Sequence, residues 1–318
     1  MLSRLRALLS PGASLKGRAL KGGVVALGGF GAAQALRLAS NLIMTRLLAP
    51  DAFGLMAVVL AIEILIGMLS DLGLDASIMR SKQGAEPAFL ATARTMQLAR
   101  SLFIAFIMVA VAAVLPPLAA SGFFPKGSVY TDPRLPWFMA LMALSVVVTG
   151  FNAMRVALHN RSLNLIPVIR LELGAQAIGV AATVAGALAG FGAYALAFGG
   201  VIGASAKSLG SHFLLSGPPA RFGFDRAHFK EIFGYGKWLL LASTLGWLFQ
   251  RGDQVLFGWL FEATAFGLYS IAVIWIFTAR NLIEMVQRRV AYPALSELHR
   301  ERPHDLTRVY RRIRRVYE

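Results

Sequence analysis

Polar residues are spaced along the chain so that eight long stretches stay apolar, at approximately 22–48, 53–78, 102–120, 135–158, 173–190, 191–214, 238–259 and 266–285. Each is near the roughly 20 residues that a helix needs to cross a bilayer core. Backbone N–H and C=O groups must be bonded inside such a segment in lipid, so runs of this length predict helices. The division between the fifth and sixth rests on one turn signal, Gly190-Phe191-Gly192. Residues 1–21 resemble the basic n-region of a signal peptide, but the apolar stretch behind them is too long and runs on into a second. A retained first helix is therefore expected. The pattern predicts an all-α integral membrane protein of about eight transmembrane helices.

Composition agrees. The chain has 318 residues, 57% hydrophobic and 15% charged, with a mean hydropathy of +0.62, too apolar for an ordinary soluble domain. A net charge of +16 would suggest nucleic acid if the chain were soluble, but the positions of the charges exclude that partner. Of the 32 Lys and Arg, 27 fall in 1–21, 79–100, 155–170, 207–237 and 280–318. The alternate loops hold only Arg46, Lys126 and Arg134, while Arg37 and Arg251 lie inside helices. Cytoplasmic flanks collect Lys and Arg, so both termini are expected to be cytoplasmic. Arg155, Arg161 and Arg170 are expected to be topology charges. Leu2, Leu5, Leu8 and Leu9 beside Arg4 and Arg6 fit either a short interfacial helix or a basic tail. The arginines of 308–315 would draw anionic headgroups of membrane lipids. The absence of Cys removes thiolate nucleophiles, disulfides and Cys-based metal sites.

One internal echo stands out. Ala52-Phe53-Gly54-Leu55 opens the second span and Ala265-Phe266-Gly267-Leu268 opens the eighth, an offset of 213 that also pairs Asp71 with Glu284. The two tetrapeptides fall at the same bend of two hairpins of like orientation, the pattern of a parallel repeat.

Four segments carry a family resemblance. They are Thr45-Arg46-Leu47-Leu48-Ala49-Pro50-Asp51-Ala52-Phe53-Gly54-Leu55, Ser70-Asp71-Leu72-Gly73-Leu74, Arg251-Gly252-Asp253-Gln254 leading to Gly267-Leu268-Tyr269-Ser270, and Tyr292-Pro293-Ala294-Leu295-Ser296. In this order and spacing the chain resembles the bacterial polysaccharide-unit flippases of the multidrug/oligosaccharidyl-lipid/polysaccharide exporter superfamily. Members have twelve to fourteen helices in two bundles. The resemblance implies a basic N-terminus (1–21), a first six-helix bundle (22–215), a cytoplasmic linker (216–237), the first hairpin of a second bundle (238–286) and a basic segment (287–318) leading toward a ninth helix. It also implies a non-enzymatic transporter in the bacterial cell inner membrane. That transporter would move a polyprenyl-pyrophosphate-linked oligosaccharide between leaflets by alternating access, with polysaccharide polymerase machinery as a partner and no cofactor. Two other readings stay open: a cation-coupled multidrug exporter, and a non-transporting fragment or assembly subunit of polysaccharide synthesis.

The candidate chemistry lies in the intramembrane charges, which are costly at depth and face a cavity or a partner. Arg37 lies thirteen residues before Pro50 and Glu63 thirteen after it, so each is roughly 20 Å along its helix from the bend at 1.5 Å per residue. Arg251 and Asp253 lie twelve and ten residues before Ala263, the equivalent bend. Two alternatives follow. Arg37 and Glu63 form a buried pair that fixes the hairpin, or Arg37 and Arg251 line a cavity and grip phosphate, which suits the planar two-donor fork of guanidinium. Asp253 cannot face Arg251 at i, i+2 and is expected to make a helix contact or hold a coupling cation. Glu63 is the other coupling candidate, and Asp71 and Glu284 are capping or gating candidates at the cytoplasmic ends. Gly29-Phe30-Gly31 reaches Gln34 where a dinucleotide fingerprint wants Gly or Ala, so close helix packing is expected there, as at Gly186 and Gly190. The five His residues are scattered without metal-site spacing, and no Ser, His and acid arrangement suggests a catalytic nucleophile.

Overall fold

The computed structural model describes residues 15–286 apart from 71, 72, 163 and 220. Within its helices the side chains of 15–27, 235–244, 247–251, 278–279 and 281–286 fall outside the described set. The described chain is helical, with an isolated antiparallel bridge between Ser128 and Glu262 as its β feature. The helices are α1 (Leu15–Leu47), α2 (Pro50–Leu69), α3 (Leu74–Arg80), α4 (Pro87–Ala120), α5 (Leu135–Gly150), α6 (Arg155–Arg161), α7 (Leu165–Leu188), α8 (Tyr194–Phe213), α9 (Arg226–Leu260) and α10 (Ala263–Val286).

The expected apolar stretches lie on helix, but those at 53–78 and 135–158 are each two helices. Helix α2 ends at Leu69, and Gly73, in the left-handed region at φ 57°, precedes α3. Among the described residues three helices, α2, α4 and α7, are long and apolar enough to cross a membrane alone, and α5 with α6, bent by 61°, makes a fourth if taken as one span; α10 is apolar over its described stretch, Ala263–Phe277. The other helices are shorter or less apolar for local reasons. Helix α5 has 16 residues and rises only about 24 Å. Lys207 and several Gly and Ser residues dilute α8, and charges at both ends and the middle dilute α1 and α9.

Pro at the first turn starts α2 and α4, where its missing N–H has no helical partner to lose. Helix α2 is central, packing on α4, α5, α8 and α9 through a buried set that includes Phe53, Leu55, Val58, Val59 and Ala61. Helices α7 and α8 approach through small residues: a Cβ on Gly179 would lie 3.0 Å from Gly199 O, and one on Gly199 would overlap Thr183 Oγ1. Gly199→Ala is expected to cost about 1–3 kcal/mol by overpacking this contact, read by thermal unfolding in detergent. An unchanged midpoint would mean that the two helices separate freely. Gly29 packs on Ile169 and Gly186 on Ala195, as expected of packing glycines. Gly190, at φ 83° with no neighbour within 4 Å of its Cβ position, makes the turn between α7 and α8 instead.

Helix direction alternates, so the bends at 48–49, 121–134, 189–193 and 261–262 share one end of the assembly, here the loop end. The other, basic end carries the arginines expected as topology charges, and two of them, Arg155 and Arg161, cap helix ends, as does Arg100. Arg100 donates to Gly67 O (2.9 Å) and Ser70 Oγ (3.3 Å) at the C-terminus of α2. Arg155 donates to His212 O and Leu215 O at the end of α8, and Arg161 to the carbonyls of Ile78, Met79 and Ser81 at the end of α3. Each places its charge on carbonyls at or just beyond a helix C-terminus, the negative end of the helix dipole. A cluster of Leu74, Ile78, Phe89, Leu90, Met96, Met154 and Ile232 lies beside them. Ile232 belongs to α9, which begins at Arg226 behind Asp225, whose side chain accepts from Ala227 N and His228 N. Residues up to Ser270 form one compact body and those from Ile271 a second, into which α10 continues.

Candidate functional site

Helix α1 has three buried described residues, Gln34, Met44 and Leu48, the last just beyond its end. Positions 34, 37, 41, 44 and 48 repeat at i, i+3, i+7, and so form one stripe. Arg37 and Asn41 lie on that inward stripe, yet Arg37 is exposed and Asn41 half-buried. The opposite stripe, Gly28, Ala32, Ala35, Ala39 and Leu42, is also exposed and is made of small or apolar residues. Apolar residues facing outward fit lipid, whereas Arg37 is exposed on the stripe that also carries the buried residues. Gln34 Nε2, one turn away from Arg37, is buried without a hydrogen-bond partner. Such a donor is costly to leave unpaired.

The acids separate. Arg37 and Glu63 form no ion pair, whereas Arg134 pairs with Asp51 and Asp132, and Lys207 with Glu172. Glu63, on α2, has its Oε2 buried without a hydrogen-bond partner. Asp253, on α9, accepts a short hydrogen bond from the Tyr269 hydroxyl on α10, and Phe257 and Phe266 pack on that tyrosine. Asp253 is therefore a hairpin contact, the first of its two expected roles. Arg251 lies on α9 and Glu284 on α10, but their side chains, and Asp71 altogether, are outside the described residues, as are the segments 1–14 and 287–318.

The loop end holds an arrangement that no single motif announces. A Cβ on Gly54 would lie 2.5 Å from Ala263 O and 3.1 Å from Gly267 N, and one on Gly267 would overlap the Pro50 carbonyl. The repeated Phe-Gly-Leu segments thus cross each other, backbone to backbone, at their equivalent glycines. The loop 121–134 straps this crossing. Val129 N donates to Phe261 O (3.2 Å), Ser128 bridges Glu262, and the buried Tyr130 donates its hydroxyl to Val255 O (3.1 Å). Burial pushes the Tyr130 hydroxyl up to about 12, so it stays a neutral donor. Phe124 stacks on Tyr130 and meets Trp259 edge-on.

Arg134 anchors the strap. It bridges Asp51 at the first bend (2.7 Å) and Asp132 in its own loop (2.7 Å). Partial burial opposes ionisation of Asp132, but hydrogen bonds from the Arg134 side chain and backbone, with its charge, outweigh that and hold the carboxyl below its usual value. A carboxyl with a depressed folded value adds stability above its unfolded value of about 4 and loses it as pH falls through the folded one. The difference in unfolding midpoint between the parent and Asp132→Asn should therefore be constant from pH 7 to 5 and shrink below about 4. A constant difference down to pH 3 would contradict the pairing.

Sequence reasoning missed Asp51, Arg134 and Tyr269. Hairpin register holds a signal for the last, because Asp253 and Tyr269 are equidistant from Phe261 at the bend. In the sequence Arg134 stands out only as one of three basic residues in the alternate loops.

The family model for polysaccharide biosynthesis proteins matches residues 43–317. No curated protein and no solved structure matches the chain. The match runs from the end of α1 through both repeated bends, the strap between them and α10, most of the helical chain. This all-α, multi-pass membrane chain thus belongs to the polysaccharide biosynthesis protein family, with the general role in polysaccharide or oligosaccharide export that accompanies it.

Proposed function

We propose that the chain is part of a flippase that carries a lipid-linked oligosaccharide across the bacterial inner membrane by alternating access. The observation that supports this most is Arg37, a permanent cation on the inward stripe of a membrane helix, with no ion pair among the described residues. A guanidinium at that depth needs an anion, and pyrophosphate on a polyprenyl carrier supplies one that its two-donor fork matches. Arg251, at similar depth along the repeated hairpin, is the second candidate grip. Polymerase machinery would receive the product. The charge asymmetry supports a basic end, with both termini, in the cytoplasm and a loop end outside. The test is passage of a labelled polyprenyl-pyrophosphate oligosaccharide across vesicles. Arg37→Ala and Arg251→Ala should each impair it without loss of inserted protein, and undiminished flux would remove the residue from the site.

One observation favours a cation-coupled exporter as the second reading: the buried, unpartnered Oε2 of Glu63. Glu63, with Asp253 beside Tyr269 as the second candidate, would carry the coupling. Proton or sodium counterflow stimulated by amphipathic drugs in proteoliposomes, lost in Glu63→Gln, would support it; the flippase reading predicts no such drug response.

A further inference from the structure

We infer that the crossing of α2 and α10 at Gly54 and Gly267, clamped by the 128–130 strap, is the extracytoplasmic seal of the transport path, and that each transport cycle breaks and remakes it. The inference rests on the alternating-access reading above. Equivalent points of a 213-residue repeat meet here, where a pseudo-two-fold axis running along the membrane normal would bring the two halves together. Neither glycine tolerates a side chain: a Cβ on Gly54 would press on Ala263 O, and one on Gly267 on Pro50 O and Asp51 N. Backbone is therefore in contact with backbone, which leaves no passage between these helix starts.

What holds the crossing is of a kind that can open. The strap grips the 255–262 segment by the Ser128–Glu262 bridge, which carries the hydrogen bond from Val129 N to Phe261 O, and by the Tyr130 hydroxyl to Val255 O. These are hydrogen bonds of loop backbone and one phenol, each worth only about 0.5–1.5 kcal/mol net. The strap itself stays with the first bend through Arg134 and Asp51. Opening would separate the strap and α2 from Phe261, Glu262 and the start of α10, and leave the Arg134 network whole. Two small residues at a contact remade in every cycle allow close approach without interdigitated side chains that must be pulled apart.

The chain has no cysteine, so a reversible lock can be installed directly. Ser128 and Glu262 oppose each other in an antiparallel bridge, a geometry with Cα atoms about 4.5–5.5 Å apart, within disulfide reach. Ser128→Cys with Glu262→Cys, oxidised in vesicles, should crosslink within one chain. Transport of the labelled lipid-linked oligosaccharide should fall in proportion to the crosslinked fraction and return on reduction. Asn41→Cys, added on the inward stripe of α1, should lose labelling by an impermeant maleimide from the extracytoplasmic side when the lock is closed, and keep it from the cytoplasmic side. A pair that does not crosslink overturns the seal, as does a crosslinked protein that still transports or is still labelled from outside. Labelling of position 41 from neither side, locked or reduced, would instead defeat the transport reading. Gly54→Ala with Gly267→Ala should raise outside labelling of Asn41→Cys in the unlocked chain. Unchanged labelling in folded protein of that variant also counts against the seal.

Discussion

Arg161→Ala is expected to reduce the folded protein more than loss of any other charge at the basic end, by about 2–4 kcal/mol. Its guanidinium reaches the carbonyls of Ile78, Met79 and Ser81, where α3 ends. Hydrogen bonds to charged groups are worth about 1.5–3 kcal/mol each, and alanine removes the charged donor from these carbonyls, of which Ser81 O keeps the Gly84 N–H. The consequence spreads because α3 contributes Leu74 and Ile78 to the cluster that seats Ile232 of α9. All three contacts come from one terminal nitrogen, Nη1, so Arg161→Lys, whose ammonium carries three donors on one nitrogen, should recover much of the loss. Thermal unfolding in detergent, with the yield of inserted protein alongside, decides the point. If alanine and lysine both match the parent, Arg161 acts only as a topology charge.

Arg37→Ala is expected to behave in the opposite way. Transport should fall roughly ten- to hundredfold, the worth of a charge-assisted contact of about 1.5–3 kcal/mol to an anionic headgroup. Stability should hold or rise, because the variant removes a charge that is expensive within the bilayer and that has no ion pair among the described residues to lose. Arg37→Lys keeps the charge but loses the fork, and should fall between. Flux of labelled lipid-linked oligosaccharide and unfolding midpoint, measured on the same preparations, separate a site residue from a structural one. Parallel losses of both would assign Arg37 to packing.

Helices were legible in the sequence because apolarity over some 20 residues is a local property, carried by each stretch without reference to the others. The break at Gly73 was not, because Leu72 and Leu74 keep the apolar run going while the backbone turns left-handed between them. The caps of Arg155 and Arg161 were hidden for a different reason: their acceptors lie 57 to 83 residues away, and spacing along one helix carries nothing about them. Equal residue counts from the Pro50 bend placed Arg37 and Glu63 at like depth but could not fix their azimuth, and no pair forms. The Ala-Phe-Gly-Leu echo was visible as two equivalent starts. That the two starts touch is a fact of three-dimensional arrangement, set by how closely glycine lets backbones approach.

Aqueous access to position 37 is the measurement on which the account turns. A single Arg37→Cys chain and a single Ala35→Cys chain, both otherwise free of cysteine, would be treated with an impermeant maleimide in right-side-out and inverted vesicles. Helix α1 turned as described predicts that position 37 reacts, from the cytoplasmic side when the loop end is shut, and that position 35, on the lipid stripe, does not. Reaction at 35 with silence at 37 from both sides would place the cation against packed protein or lipid, and no anion could reach it.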